Sequence, residues 1–259
     1  MPKKETRLFK IKRPENLTLG NIIPNLATLT SAACGMTAIA QATQGYFSRA
    51  LALIIFAAIM DGMDGRLARM FKTNSQFGVE LDSLCDALSF GVAPALIAFF
   101  YTTHHIRGIG WILSVIFAIA MILRLARFNV MAADKKVPEY WQYFFTGVPA
   151  PAGGLMILWP IALLNATGNE IFADPRLVCA IVGTIALMLV SRIPTINLKK
   201  IHIPKSAASL VMLLIIVTLL LMAFYFWKVA AVLGAIYLLT IPYTIIKFIR
   251  MKRAYARRD

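Results

Sequence analysis

The chain has 259 residues, of which 59% are apolar and only 15% charged, and its formal net charge is +15. A soluble domain carries about 45–50% apolar residues with glycine included and about 25% charged residues, so polar groups are too few here to cover a water-facing surface. This excludes an ordinary globular protein, a disordered chain and, despite the basic charge, a nucleic-acid-binding domain; it predicts an all-α polytopic membrane bundle.

The predicted elements begin with a basic segment over residues 1–20, which carries Lys3, Lys4, Arg7, Lys10, Lys12 and Arg13. It shows no cleavage pattern and so does not read as a signal peptide. Leu8, Ile11, Leu17 and Leu19 could anchor an amphipathic helix on an anionic membrane surface; the alternative is a solvated tail that only sets topology. The membrane domain is expected over residues 21–250, with a basic tail over 251–259.

A hydrocarbon core about 30 Å thick needs about 20 helical residues. Eight such spans are predicted: Pro24–Thr43, Tyr46–Arg69, Phe77–Tyr101, Gly108–Phe128, Phe145–Leu164, Leu177–Arg192, Ala207–Phe226 and Val229–Ile249. Phe226–Lys228 reads as a turn joining the last two as a hairpin. With the N-terminus inside, alternating spans leave only Arg49, Arg107, Arg176 and Lys228 of the 27 Lys and Arg on the outer side. Basic loops are retained on the cytoplasmic side, which supports eight spans with both termini in the cytoplasm. Cys34, Cys85 and Cys179 lie in apolar runs without a CxxC pair and read as small helix residues.

Of the 12 acidic residues, Asp61, Asp64, Glu80, Asp82 and Asp86 fall in one short stretch. Carboxylates at membrane depth are costly and mark function by default. Asp61 and Asp64 are three apart, and Asp82 and Asp86 four apart, so each pair shares a helix face. The Lys72–Gln76 hairpin lets the two faces meet. Four converging carboxylates cannot all stay ionised without cations, and hard oxygen ligands suit Mg²⁺ or Mn²⁺, two of which would clamp a phosphoryl displacement. Gly62 and Gly65 clear space for a phosphate ligand, Gly78 could admit a flat base, and Arg69 offers a planar cation to a diphosphate. Glu80 points away from the Asp82/Asp86 face.

The pattern Asp61-xx-Asp64-Gly65-xx-Ala68-Arg69, then Gly78-xxx-Asp82-xxx-Asp86, resembles the signature of the CDP-alcohol phosphatidyltransferases. That resemblance implies an integral membrane enzyme, commonly a homodimer, that transfers a phosphoalcohol or phosphatidyl group and releases CMP. It implies that Asp61, Asp64 and Asp82 hold metal, and that Asp86 contacts a second ion and serves as catalytic base. It places Asp61, Gly65, Ala68, Arg69 and Gly78 at the CDP site. The blocks IPNLATL, FGVELDSLCDALSFGVAPA, RLARFNV and FTGVPAPAGG resemble family members of the bacterial cell membrane. Those use CDP-diacylglycerol as donor and L-serine as acceptor, which implies a cytoplasmic site. A direct displacement is expected, in which the serine oxygen attacks phosphorus. The rival readings are a relative using choline or glycerol phosphate, and a cation transporter.

The remaining candidates keep two readings each. Arg124 and Arg127, with Asn129 nearby, could bind the acceptor carboxylate or a phosphate through their guanidinium forks; otherwise they answer only to topology and anionic lipids. Ser89 could bond a ligand or another helix. Thr73, Asn74 and Ser75 read as N-cap chemistry or as contacts to the nucleotide. His104 and His105 are expected in an outer loop, away from the aspartates.

Overall fold

The structure, a computed structural model, describes residues 19–70, 76–133, 144–191, 194–196 and 205–255. The described residues form eight α-helices: α1 (Leu19–Thr43), α2 (Phe47–Met70), α3 (Gln76–Asp86), α4 (Ala93–Tyr101), α5 (Ile109–Ala133), α6 (Ala150–Thr167), α7 (Pro175–Val190) and α8 (Lys205–Tyr255). A π-helical segment, Ala87–Val92, joins α3 to α4 as one continuous rod. Two short strands, β1 (Phe144–Thr146) and β2 (Pro194–Ile196), pair antiparallel with Phe145 opposite Thr195. The proposed N-terminal surface helix, the 71–75 hairpin and the end of the basic tail lie outside the described residues.

Among the described residues, five helical stretches are long and apolar enough to cross a membrane: Ile22–Thr43, Gln76–Tyr101, Ile109–Met131, Ala150–Thr167 and Ser209–Met251. Pro175–Val190 is a shorter apolar helix. α2 coincides within a residue with the predicted second span, and its charged end explains why it falls short on composition. α1 starts earlier than predicted and takes Pro24 into its early turns.

Three boundaries differ from the sequence reading. The predicted fifth span begins in strand β1, and its helix starts only at Ala150. Gly147 has φ +82°, and Pro149 is held extended at φ −57°, ψ 147°, so the chain turns before it can coil. The helix of the sixth span starts at Pro175, two residues before the predicted Leu177, because Asp174 caps it: its Oδ1 accepts from the Arg176 and Leu177 amides at 2.7 and 3.3 Å, ahead of Pro175 at the first turn. Phe226–Lys228, expected as a turn, is helical; the break in α8 lies at Tyr225, with φ −129° and ψ 43°.

The core sits where the π segment meets α5, α6 and α7, with Phe90, Phe117, Met121, Ile157 and Leu189 buried. Lipid tails are as apolar as leucine, so close packing and interhelical bonds hold such a bundle together. Two glycines allow that closeness. A Cβ on Gly35 would lie 2.9 Å from Ser89 Cα, and one on Gly154 would lie 2.9 Å from the Phe90 carbonyl oxygen. α8 is unevenly packed. Ala231, Gly234, Ile241 and Thr244 are buried beyond the kink, while Leu213, Leu220 and Phe224 before it are exposed.

Candidate active site

The site forms where the C-terminal end of α2 meets α3. Asp61, Asp64 and Asp82 each bring a carboxylate oxygen within 4.8 Å of the others. Helical spacing puts Asp61 and Asp64 on one face of α2, and α3 returns alongside with Asp82. Asp64 is only 6% exposed, and Thr28 of α1 donates a 2.7 Å hydrogen bond to its Oδ2. The same hydroxyl also donates to the Pro24 carbonyl at 3.2 Å, so one side chain ties the start of α1 to the acid cluster. Asp82 Oδ1 is buried and has no hydrogen-bond partner.

Asp86, the last residue of α3, is outside that triad but next to it. Its carboxyl is in hydrogen-bonding contact with Asp61 and in the field of Asp82 and Arg124. Arg124 enters from α5, only 9% exposed, with its Nε buried and unpartnered. Its guanidinium lies 5.7 Å from the Phe128 ring centroid. Asn129, one turn further along α5, donates to Ser83 Oγ at 2.8 Å and so clamps α5 to the residue beside Asp82.

The other predicted residues separate. Arg127 spends its fork on the end of α7: Nη1 donates to the Val190 carbonyl at 2.7 Å, and Nη2 to those of Leu189 and Ser191 at 3.0 and 3.3 Å. Three carbonyls without intrahelical partners are satisfied by one cation at the negative end of a helix. Ser89 is fully buried and accepts from Ser31 Oγ at 3.5 Å, an interhelical contact. Arg69 is exposed and donates through Nε to the Gly65 carbonyl at 2.9 Å. Gly62 and Gly65 face open space, with no atom within 4 Å of where a Cβ would stand. Gly78 is half-buried on α3, one turn before Asp82, and Ala68 is helical on α2. Thr73 and Ser75 lie outside the described residues. His104 and His105 are exposed at the far end of α4, roughly 30 Å of helix from Asp82 at 1.5 Å per residue.

Two residues escaped the sequence reading, one beside Asp64 and one in the field of Arg124. Thr28 lies within IPNLATL, but nothing in the spacing of α1 marks it as a partner of Asp64. Tyr237, on α8, has a buried hydroxyl without a partner and interacts with Arg124. Its one sequence signal is a hydroxyl-bearing ring inside an apolar run.

The donor set suits a hard divalent cation: three carboxylates, one with an orphaned buried oxygen, and no competing nitrogen or sulfur ligand in the cluster. The open backbone at Gly62 and Gly65 gives a phosphate room beside it.

The sequence model of the family described as CDP-alcohol phosphatidyltransferase matches residues 21–190. Three curated proteins similar to the chain are each named CDP-diacylglycerol--serine O-phosphatidyltransferase. That of Mycobacterium leprae (strain TN) is 36% identical over 189 residues, covering 73% of this chain and 63% of that protein. That of Helicobacter pylori (strain ATCC 700392 / 26695) is 37% identical over 180 residues, covering 70% and 74%. That of Bacillus subtilis (strain 168) is 30% identical over 182 residues, covering 70% and 93%. The chain thus spans just under two thirds of the length of the mycobacterial relative.

Proposed function

The chain belongs to the CDP-alcohol phosphatidyltransferase family, and from that premise we propose that it transfers the phosphatidyl group of CDP-diacylglycerol to the hydroxyl of L-serine, giving phosphatidylserine and CMP. The observation that carries the reading is the convergence of Asp61, Asp64 and Asp82 beside Asp86 at the end of α2. The names of the three relatives favour serine as the acceptor.

Members of this family generally use divalent metal. Asp61, Asp64 and Asp82 would hold it here, as Mg²⁺ or Mn²⁺ and as a pair of ions with Asp86 on the second. Bound metal supplies charge neutralisation to the diphosphate and to the departing CMP. Asp61, Gly65, Ala68, Arg69 and Gly78, with Thr73 and Ser75 of the hairpin, receive the CDP moiety, and the acyl chains stay in lipid. Asp86 takes the proton of the serine hydroxyl. The serine oxygen forms a bond to the phosphorus bearing diacylglycerol, and the bond from that phosphorus to the CMP oxygen breaks, CMP leaving with the electron pair. Arg124 holds negative charge on the acceptor side. Arg127, Asn129 and Ser89 support the site by tying α5 to α7, α5 to α3 and the π segment to α1.

The protein is an integral membrane protein. The finer arrangement belongs to the same proposal: eight crossings, with α8 counted as two across Tyr225; both termini and the site in the cytoplasm of a bacterial cell; basic segments against anionic lipid; and a homodimer. The decisive experiment is release of CMP from CDP-diacylglycerol with Mg²⁺ or Mn²⁺ across a panel of alcohols. Release with serine, abolished by chelation, is expected. Release only with choline or glycerol phosphate would move the chain to a sister activity, and no release with any alcohol would favour the cation transporter.

A further inference from the structure

Among the described residues, Asp82 Oδ1, Arg124 Nε and the Tyr237 hydroxyl are buried without hydrogen-bond partners. Asp82 Oδ1 is an acceptor, and a cation answers it. Arg124 Nε is a donor, and the Tyr237 hydroxyl can donate as well as accept. Buried donors without acceptors are rare in folded proteins because each loses its water without recompense. The two donors interact with each other's residues, and Arg124 in turn faces Asp86 and Asp61. Two buried groups that can each donate a hydrogen bond, and that lack a partner, suit an anion between them.

The position of Tyr237 is built. Trp159 of α6 donates through Nε1 to the Ala231 carbonyl at 3.0 Å. Gly234 lies against the indole, leaving no room for a side chain, and Tyr237 follows one turn later. Its ring lines an apolar cavity of about 260 Å³ with Leu51 and Ile55 of α2 and Leu155 and Met156 of α6. Apolar neighbours hold the ring while the hydroxyl is buried within the field of Arg124.

We propose that the Tyr237 hydroxyl and Arg124 Nε together bind the carboxylate of the serine acceptor, so that α8 supplies a specificity-determining residue to the site. This rests on the serine transfer proposed above. The hydroxyl and carboxylate of serine sit on neighbouring carbons, so the group that binds the carboxylate must stand near the base that takes the hydroxyl proton, and Arg124 faces Asp86. The alternative anion is a phosphate of the donor. Tyr237 lies outside residues 21–190, the stretch shared with the family model. The acceptor is what members of a CDP-alcohol family differ in.

Tyr237→Phe removes the hydroxyl and keeps the ring, so the fold is retained. With the full-length protein in CDP-diacylglycerol vesicles and saturating Mg²⁺, the KM for serine should rise roughly 10–100-fold, the worth of one hydrogen bond to a charged group. The KM for CDP-diacylglycerol and the melting temperature without serine should stay at the wild-type values. Serinol, which lacks the carboxylate, should be used equally well by both forms. A wild-type serine KM in the variant overturns the proposal. So does a rise in the donor KM instead, which would assign the hydroxyl to a donor phosphate, and so does an equal loss with serine and serinol. Wild-type protein that releases CMP with choline or glycerol phosphate but not with serine overturns the serine transfer itself, and the carboxylate site with it.

Discussion

Thr28 and Asp64 are 36 residues apart in the chain and 2.7 Å apart in the fold. The hydroxyl fixes which Asp64 oxygen faces the cluster and which is already taken. Thr28→Val keeps the shape of the side chain and removes the donor. Partners of metal-holding carboxylates typically matter by 10–100-fold in metal affinity or activity, so the half-saturating Mg²⁺ concentration should rise by about that factor, with Thr28→Ser close to wild type. A Mg²⁺ titration of CMP release that is unchanged in Thr28→Val would remove Thr28 from the site.

Asp86→Asn keeps the volume and loses the basicity. A general base contributes about 10²–10⁴-fold, and kcat should drop within that range at saturating Mn²⁺ with the melting temperature held. Turnover near wild type in that assay would place the proton acceptor elsewhere.

Arg124 and Arg127 should part company. Arg127→Lys cannot reach three carbonyls at once, so it should lower stability by about 1–3 kcal/mol through the end of α7, seen as a lower melting temperature with substrate KM values kept. Arg124→Lys should leave the melting temperature in place and raise the KM for serine. The reverse pattern would reverse the two roles.

Gly234→Val drives its side chain into the Trp159 indole. Overpacking costs typically 1–3 kcal/mol, and the displaced α8 takes Tyr237 with it. A lower melting temperature and a raised serine KM should therefore appear together, and the companion substitution Trp159→Ala should restore part of the serine KM. If Gly234→Val changes stability alone, the register of α8 is unimportant to the site.

Topology has its own test. With Cys34, Cys85 and Cys179 replaced by serine, single cysteines at Gln76 and Arg107 should react with impermeant reagents from opposite faces of the membrane, Gln76 from the cytoplasm. Labelling of both from one face would refute the eight-crossing arrangement.

The acid cluster was legible because its signal is local. Asp61 with Asp64, and Asp82 with Asp86, lie at helical spacings that put each pair on one face before any fold is known, and the glycines between them mark where a ligand can approach. Helix positions were legible to within a few residues wherever length and apolarity decide. They failed where a local conformation overrode composition: Gly147 and Pro149 ahead of α6, Asp174 ahead of α7, and Tyr225 inside α8. Contacts between helices distant in sequence left no trace in it. Thr28 and Tyr237 are an ordinary threonine and tyrosine until α1 meets α2 and α8 packs on α6. Arg127 looks like Arg124 three residues earlier until the carbonyls of α7 claim it.

The π segment at Ala87–Val92 has a mechanical consequence. A π turn amounts to one residue inserted into an α-helix, and one residue is worth about 100° of rotation. Asp86 ends the α-helical part on one side of this insertion, while Ser89 and Phe90, locked against Gly35 and Gly154, lie within it. The angular phase between the carboxylates and the tightly packed core is therefore set by six residues alone. Deleting one of them would regularise the helix and swing Asp82 and Asp86 about a quarter-turn away from α2, with the carboxylates themselves intact. The rod from Gln76 to Tyr101 is thus two helices on one axle, and the π segment is the keyway that fixes their timing.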